Sequence, residues 1–470
     1  MKFTAFCPAL LLLLCAVVCR AEAPRPNIII FLVDDLGRAD VGFTGGKEIR
    51  TPNIDRLAKE GAVLDSFYVQ PLCSPTRAAL LTGRYPTRTG VYNVVRPGAG
   101  WGLPLEERTL AQALKEAGYS TAICGKWHLG SSEPGYLPMS RGFDRQYGHF
   151  SGAIDYFTHR RAGQLDWYRN QEPLKERGYS THLIAQEAQR VIREQPADKP
   201  LFLYVPFNGV HAPHQVPEKY TEGYEGLRGV RQRMAGMITA VDEAIGQIVA
   251  MLDDQRKQNT LIIFASDNGG MRNSNVASNV PLRAGKGTFY EGGVRVCAFA
   301  TWPGKIPAGE TIREPIHTVD WYPTLLNLAG VSLEQQLPID GMDVWPTLTS
   351  GAKTPHDAIL LVGGGPGKAG IRMGDWKLLL HPSERDEEEA PGNTGAKHPG
   401  GGGSGVELYN LANDIGERKN LAAAEPEKAK ELRARLDAIL AGAVKPGGGD
   451  AGGKRGVGPR KKRMRRGARR

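Results

Sequence analysis

Three continuous apolar runs constrain the fold of this chain more than any other feature of its sequence. They cover residues 27–33, 201–205 and 260–265. Runs of this kind are typical of strands buried on both faces, as the central strands of parallel sheets are. Patterns with helical spacing lie around them, at residues 51–61, 109–117, 180–194 and 230–253. Strands that alternate with helices predict an α/β fold, with a mostly parallel sheet and helices on both of its faces.

Polar pairs follow four of the predicted strands. These pairs are Asp34/Asp35, Lys126/His128, His211/His214 and Asp267/Asn268. Ligands of open α/β sheets bind beyond the carboxyl ends of the strands, so we expect the four pairs to lie along one edge. Taken singly, Asp34/Asp35 and Lys126/His128 are also typical of an ordinary solvated turn. Their recurrence at four strand ends is what favours a site.

The first and last of these pairs offer only oxygen ligands. Carboxylate and amide oxygens suit Ca²⁺ or Mg²⁺ better than Zn²⁺. The imidazoles of His211 and His214 keep zinc open as an alternative, although no further His/Asp pair at a strand end supplies a second metal site. Five basic residues could surround a small dianion next to the metal: Arg77, Lys126, His128, His211 and Lys286.

The stretch Cys73-Ser74-Pro75-Thr76-Arg77 precedes a short apolar run. Proline is favoured in the first turn of a helix, so Cys73 is predicted to lie at a helix N-terminus, where partial positive charge favours an anion or a nucleophile. Arg77 lies one helical turn further on the same face. The alternative is a buried structural cysteine or one half of a disulfide.

The N-terminus has the pattern of an export signal. Lys2 precedes an apolar core at residues 9–18, and Ala21-Glu22-Ala23 is an A-x-A cleavage site. The core is too short to span a membrane. Cleavage would leave three of the six cysteines: Cys73, Cys124 and Cys297. Because at most one disulfide could then form, a cysteine with another role is plausible.

The positive charge of the chain is concentrated at its C-terminus. Residues 445–470 hold eleven Lys or Arg and one Asp, which equals the formal charge of +10 for the whole chain. This glycine-rich segment is predicted to be disordered and to attract polyanions. For an exported protein the favoured partner is a sulfated or carboxylated polysaccharide or an anionic cell surface, and no specific nucleic acid is predicted. The alternative is a solvated extension without a role.

The C-x-P-x-R order, its apolar helix and the following Thr82-Gly83-Arg84 resemble the signature of the formylglycine-dependent type I sulfatases. From residue 27 to about residue 421 the chain resembles the arylsulfatase B, or N-acetylgalactosamine-4-sulfatase, branch of that family. Further matching segments include residues 125–130, 266–270, 281–295 and 407–414. Two departures stand outside the expected catalytic set: Arg38 replaces a usual aromatic residue, and Cys297 replaces a small residue or proline.

The resemblance implies a role for each site residue. Cys73 would be converted to formylglycine by a formylglycine-generating enzyme, and its hydrate would attack sulfur. One Ca²⁺ would be held by the modified residue 73 with Asp34, Asp35, Asp267 and Asn268. Arg77 and Lys126 would orient the hydrate and the sulfate, and His128 would take a proton when the aldehyde reforms. His211 and Lys286 would contact the sulfate and assist the leaving alcohol.

The resemblance also implies the architecture. We expect an alkaline-phosphatase-like sandwich, with a large, mostly parallel sheet flanked by helices. A smaller C-terminal subdomain would add a short antiparallel sheet and a helix. The predicted division is a signal peptide at 1–23, a catalytic domain at 24–350, the subdomain at 351–443 and the basic tail at 444–470. Residues 384–405, acidic and then glycine-rich, are predicted to form a mobile loop.

The predicted function is hydrolysis of a sulfate ester on a carbohydrate. Loops near the strand ends supply candidate sugar contacts: Asp155, Tyr156, His159, His214 and Arg283. For each of them packing within a loop is the alternative. Two other functions stay open, a phosphate or phosphonate ester hydrolase of the same superfamily and a sulfated-glycan-binding protein without turnover.

Overall fold

The computed structural model describes residues 25–271, 276–380 and 405–447. The strands are β1 Asn27–Val33, β2 Ala62–Leu64, β3 Phe67–Tyr68, β4 Ser120–Lys126, β5 Arg145–His149, β6 Arg160–Arg161, β7 Gln164–Leu165, β8 Tyr168–Arg169, β9 Glu172–Pro173, β10 Leu201–Phe207, β11 Thr260–Ser266, β12 Ala298–Thr301, β13 Glu310–Ile312, β14 Ile316–His317, β15 Ile359–Val362, β16 Ala369–Met373, β17 Trp376–Leu380 and β18 Val406–Asn410. The helices are α1 Pro52–Lys59, α2 Cys73–Thr82, α3 Pro86–Thr89, α4 Leu110–Glu116, α5 Ser180–Arg193, α6 Gly229–Val249, α7 Asp254–Gln258, α8 Glu291–Val294, α9 Trp321–Leu328, α10 Trp345–Ser350 and α11 Pro426–Leu440.

Ten strands form the large sheet, in the order β13-β2-β12-β11-β1-β10-β4-β5-β8-β9. Its centre is parallel: β1 lies between β10 and β11, and β4 follows β10. Antiparallel strands join on both sides, with β12 on β11 and β8 on β5. The predicted large, mostly parallel sheet is therefore confirmed.

Both faces of the sheet are covered because alternate residues of β1 enter different cores. Ile29, Phe31 and Val33 belong to one apolar cluster, with buried residues of α1, α5 and α6. Ile28, Ile30 and Leu32 belong to the other, with buried residues of α2, α4 and α9. A strand that must bury both faces explains the unbroken apolar run at residues 27–33.

The C-terminal subdomain contains a second sheet, β15-β16-β17-β18, in which every neighbouring pair is antiparallel. Helix α11 buries Leu432 and Leu436 in an apolar cluster with this sheet. The same cluster includes Tyr85 and Tyr92 of the larger part of the chain, so the two parts share a core. The expected short antiparallel sheet with a helix is confirmed.

The sequence predicts one strand at residues 63–69 and another at residues 370–380, but the structure divides each of these segments in two. The alternating stretch at residues 63–69 forms β2 and β3, which are separated by a turn whose Asp65 carboxylate pairs with Arg38 and Arg295. Residues 370–380 form a hairpin rather than one strand, because Gly374 adopts a left-handed φ of 56°.

Three expectations concern residues that the structure does not describe: the signal peptide at 1–23, most of the loop at 384–405 and the basic tail beyond residue 447. Among the described residues, every helix is too short or too polar to cross a bilayer.

Candidate active site

The oxygen-bearing pairs meet at the carboxyl end of the central strands. β1 and β11 are parallel neighbours in a register that pairs Val33 with Ser266, so the residues that follow them are adjacent. The backbone N–H of Asp35 donates to Asp267 Oδ1 at 3.3 Å, and Asn268 Nδ2 donates to Asp35 Oδ1 at 2.8 Å. One ligand atom from each of Asp34, Asp35, Cys73 and Asp267 lies within 4.8 Å of the others.

The chemistry of this cluster fits a hard divalent cation. Two of its acceptors, Asp35 Oδ2 and Asn268 Oδ1, are buried and lack a hydrogen-bond donor. Such buried acceptors are costly unless a positive partner joins them. Apart from Cys73 Sγ, the other ligand atoms are carboxylate oxygens, which Ca²⁺ and Mg²⁺ prefer. The residues therefore suit a hard divalent cation such as Ca²⁺ or Mg²⁺.

Cys73 begins helix α2, as predicted, and its side chain is buried. Its Sγ lies 3.5 Å from Asp34 Oδ1 and 3.3 Å from Lys286 Nζ. Burial, together with the charges of Asp267 and Asp34, raises the pKa of the thiol to about 12. Burial and these two carboxylates therefore favour the thiol over the thiolate, which is the nucleophilic form of an unmodified cysteine. The described cysteines, Cys73 included, are free, so the disulfide alternative is not realised.

Arg77 connects two strand ends from the same helix. Its guanidinium donates to Asp267 Oδ2 at 2.8 Å and to the backbone carbonyl of Lys126 at 3.0 Å. Burial by itself would lower the pKa of Arg77, but Asp267 outweighs it and the pKa is raised. This fully buried cation therefore fixes the end of β4 against the metal ligands.

Lys126 and His128 lie at the end of β4. Lys126 is buried and its Nζ donates to Asp34 Oδ2. Burial would raise the pKa of Asp34, yet Lys126 and His211 hold it below its ordinary value. Burial, then the charges of Lys126 and Arg77, lowers the pKa of His128 well below its ordinary value. The His128 imidazole is consequently neutral near neutral pH and able to accept a proton.

His211 and Lys286 lie at the mouth of the site. His211 Nε2 lies 3.8 Å from Asp35 Oδ2, and its side chain is 23% exposed. Lys286 Nζ donates to Asp35 Oδ1 at 2.5 Å, and its side chain is 14% exposed. Burial would lower the pKa of Lys286, but Asp35 raises it well above its ordinary value. These two side chains are therefore the partly exposed edge of the site, next to the buried Cys73.

Two predicted sugar contacts are instead packing residues. Tyr156 is 1% exposed, its hydroxyl donates to the carbonyls of Asn208 and His211, and its ring stacks on Tyr179. His159 is fully buried, with its ring stacked on Trp167. Burial contradicts direct sugar contact by either residue. Tyr156 does hold the backbone of His211, so its effect on the site is indirect.

Arg283 is partly exposed, and its contacts in this structure are with the C-terminal subdomain. Its guanidinium donates through Nη1 to the Tyr409 hydroxyl and to the Glu417 carbonyl, both in that subdomain. These contacts place the side chain in a junction between parts of the chain, and its sugar contact stays a prediction.

Asp155 and His214 are partly exposed and stay predicted sugar contacts. The Asp155 carboxylate already accepts hydrogen bonds from Gln215 Nε2 and from the backbone N–H groups of Phe157 and Thr158. Burial would raise the pKa of Asp155, but these hydrogen bonds lower it to about 2. Asp155 is therefore ionised and fastens its loop to the segment that carries His211.

Two residues that contact His128 escaped the sequence analysis. A Cβ atom at Gly152 would lie 2.5 Å from His128 Nε2, so only glycine leaves room for the imidazole. Ser74 Oγ donates to the His128 carbonyl at 2.8 Å and accepts from the backbone N–H of Val95. In the sequence, only the position of Ser74 directly after Cys73 indicated that one of these two residues lies in the site.

Comparison with known proteins agrees with this geometry. Residues 26–331 match the family described as Sulfatase. Mouse arylsulfatase J is 36% identical over 455 residues, which cover 88% of this chain and 76% of that protein. Canine N-acetylgalactosamine-6-sulfatase is 37% identical over 373 residues, covering 73% of this chain and 70% of that protein. The solved structure of Ps i-CgsB in complex with k-i-k-neocarrahexaose aligns with a TM-score of 0.81 at 33% identity, covering 90% of this chain and 94% of the other.

Proposed function

This chain belongs to the sulfatase family, and we propose that it is an exported hydrolase of sulfate esters on a carbohydrate, with residue 73 as the nucleophile. The observation that carries the proposal is the meeting of Cys73 with three carboxylates and two lysines at one end of the sheet. The family's arylsulfatase and N-acetylgalactosamine-6-sulfatase members support the sulfuric ester class.

We propose that Cys73 is converted to formylglycine by a formylglycine-generating enzyme during maturation. As formylglycine hydrate, residue 73 would supply a hydroxyl nucleophile and a further metal ligand. Asp34, Asp35, Asp267 and Asn268 would hold one Ca²⁺, which supplies Lewis-acid stabilisation of negative charge when bound.

The cationic side chains have distinct places around residue 73. Lys126 forms an ion pair with Asp34, and Lys286 forms one with Asp35. Both ammonium groups would neutralise charge on the sulfate oxygens. Arg77 would hold the strand ends in register through Asp267. Fixed donors of this kind need no reorganisation during the reaction, which is why they lower the barrier.

The two histidines suit opposite proton transfers. His128 is buried and neutral, so it would accept a proton at residue 73. His211 is partly exposed and faces the mouth, so it would protonate the leaving alcohol. The positions of both depend on neighbouring loops, through Gly152 and Tyr156.

The proposed substrate is a sulfated sugar, with N-acetylgalactosamine 4-sulfate as one candidate. Ps i-CgsB has been solved with a neocarrahexaose, and this supports a carbohydrate substrate. Asp155 and His214 are the proposed sugar contacts, because both are partly exposed in the loops near the mouth.

The basic tail would hold the enzyme near a polyanionic substrate. The last described residues are fastened to the larger part of the chain: Val444 N–H donates to the Thr87 carbonyl, and Gly447 N–H to the Gly90 carbonyl. The strongly basic sequence follows directly. Deleting residues 448–470 should weaken retention on a sulfated polysaccharide at low salt and leave aryl sulfate turnover unchanged.

The decisive experiment compares esters on enzyme produced with a formylglycine-generating enzyme. Intact mass reports the conversion of Cys73, in which the side chain loses its sulfur and two hydrogens and gains one oxygen. We expect release of sulfate from an aryl sulfate and from at least one member of a panel of sulfated oligosaccharides. Faster turnover of an aryl phosphate or phosphonate would favour the alternative hydrolase. Binding of sulfated glycans by fully converted protein that turns over none of these esters would favour the non-catalytic alternative.

A further inference from the structure

Arg283 lies three residues before Lys286 and connects that segment to the C-terminal subdomain. Its guanidinium donates to the Tyr409 hydroxyl at 3.1 Å and to the Glu417 carbonyl at 2.7 Å. It also lies over the Tyr290 ring, 3.8 Å from the centroid. Such a planar group, stacked on one side and hydrogen-bonded at its edge, has little freedom.

The backbone between Arg283 and Lys286 is fixed by the larger part of the chain as well. Gly292 N–H donates to the Arg283 carbonyl at 2.8 Å, and a Cβ atom at Gly292 would lie 2.3 Å from that oxygen. Asn279 Nδ2 donates to the Ala284 carbonyl at 3.1 Å. The segment is thus held between α8 on one side and the C-terminal subdomain on the other.

The groups that contact Arg283 are held in place by the sheet of the C-terminal subdomain, β15 to β18. The hydroxyls of Tyr409 and Tyr290 both donate to Glu407 Oε2 at 2.8 Å. The Glu417 carboxylate accepts from the Glu291 N–H at 2.7 Å and lies 2.8 Å from Lys377 Nζ. Tyr409 is in β18 and Lys377 is in β17, so the place of Arg283 depends on the C-terminal sheet.

We propose that Arg283 is a positioning residue through which the C-terminal subdomain places Lys286 in the active site. The consequence is that the subdomain is part of the catalytic apparatus, although none of its described residues is a reacting group. Lysine has a long flexible side chain, so a fixed backbone is what keeps its ammonium 3.3 Å from Cys73 Sγ. The kinetic part of this inference rests on the proposed function, whereas the structural part does not.

The first test is kinetic and uses the full-length converted enzyme with an aryl sulfate. Arg283→Gln should lower kcat/KM by about 10²-fold, the size expected for a misplaced catalytic group. Arg283→Lys should recover only part of the loss, because an ammonium cannot make the same fork of contacts. Tyr409→Phe removes one acceptor and should give a smaller loss.

A double-mutant cycle separates positioning from general loss of stability. If Arg283 acts through Lys286, the Arg283→Gln/Lys286→Met enzyme should be no slower than Lys286→Met alone. Arg141→Gln is the matched control, since Arg141 is a buried arginine that donates to the carbonyls of Pro104 and Glu107. It should lower the melting temperature while the folded fraction retains wild-type kcat/KM. Additive losses in the cycle would overturn the proposal.

The second test does not depend on activity. Crystal structures of wild type and Arg283→Gln should differ in the contact between Lys286 Nζ and Asp35 Oδ1. An unmoved Lys286 with unchanged kinetics would refute the positioning role. A displaced Lys286 in a protein whose wild type hydrolyses no ester would support positioning and count against the proposed function alone.

Discussion

Two buried clusters of charged side chains lie in different parts of the molecule. The active-site cluster contains Asp34, Asp35, Cys73, Arg77, Lys126, Asp267 and Lys286. The interdomain cluster contains Tyr68, Glu291, Arg372, Lys377 and Glu417. Both combine acidic and basic side chains that water scarcely reaches. Burial of charge alone therefore does not distinguish a reactive site from a structural joint.

The clusters differ in their buried acceptors and in their exposure to solvent. In the active-site cluster Asp35 Oδ2 and Asn268 Oδ1 lack hydrogen-bond donors, and Lys286 and His211 reach solvent. In the interdomain cluster the side chains of Lys377, Glu291 and Glu417 are fully buried, and the acceptor that lacks a hydrogen-bond donor, Glu417 Oε1, still lies 2.8 Å from the Lys377 ammonium. Acceptors without hydrogen-bond donors, next to partly exposed side chains, suit the binding of a cation and a substrate. Fully buried side chains that pair with one another suit the joining of two sheets.

The carboxyl groups of the two clusters also titrate differently. Burial would raise the pKa of Asp35, but Lys286 and His211 lower it, so the carboxylate stays charged. In the interdomain cluster Lys377 is shared between Glu291 and Glu417, and burial raises the pKa of Glu417 to about 7. One carboxyl group of the joint therefore retains a proton to higher pH.

The largest expected effect separates the clusters by chemistry. Cys73→Ala should abolish turnover while the fold persists, because the small side chain contributes little to helix α2. Cys73→Ser should behave nearly alike if maturation requires the thiol. Steady-state kinetics and far-ultraviolet circular dichroism measure the two properties. Wild-type activity of Cys73→Ala would exclude residue 73 as the nucleophile, whereas activity of Cys73→Ser would show that maturation accepts a hydroxyl.

The second-largest effect is expected from the aspartates of the active-site cluster. Asp267→Ala or Asp34→Ala should remove bound Ca²⁺ and leave the remaining carboxylates to repel one another. Elemental analysis of purified protein measures the occupancy. Glu291→Gln, in the interdomain cluster, is the matched control and should retain full metal. Full occupancy in both aspartate variants would contradict the assignment of the site.

A smaller effect is expected from crowding His128. Gly152→Ala places a methyl group against the imidazole and should lower kcat by about 10- to 100-fold, since small displacements of catalytic groups have effects of this order. Metal content should stay unchanged. Gly226→Ala is the control, because a Cβ there meets no atom within 4 Å. Equal kcat in the two variants would show that the imidazole adjusts freely.

The smallest effect is a change in pH dependence. The pKa of Glu417 is about 7 in the folded protein, against 4.5 ordinarily, so the folded state binds its proton more tightly. Stability from this group is present below pH 4.5 and is lost as pH rises through 7. Glu417→Gln should remove that loss. Melting temperatures at pH 5 and pH 8 give the comparison, and an unchanged difference between them would refute the assignment.

Much of the site could be predicted from the sequence, because most of its residues lie directly after the ends of strands. The apolar run at residues 27–33 located β1, and Pro75 placed Cys73 at the start of α2. Parallel strands bring their carboxyl ends to one edge, so Asp34 and Asp267 could be joined without knowing the strand order. Local pattern and a general rule of topology were sufficient there.

The sugar contacts were harder because polarity in a loop does not reveal what faces solvent. Tyr156, His159 and Arg283 had suitable chemistry, but each makes its contacts with segments distant in sequence, such as the bond from Arg283 to residue 417. The fit of Gly152 against His128 is likewise a property of two loops that only folding brings together.

The sequence by itself determined the sheet, the place of Cys73 and the oxygen-bearing set for a metal, because these depend on residue period and on strand polarity. The tertiary structure decided which polar groups are buried, which acceptors are open and how the C-terminal sheet meets the segment of Lys286. Those properties depend on contacts between residues far apart in the chain, and no local pattern encodes the geometry of such contacts.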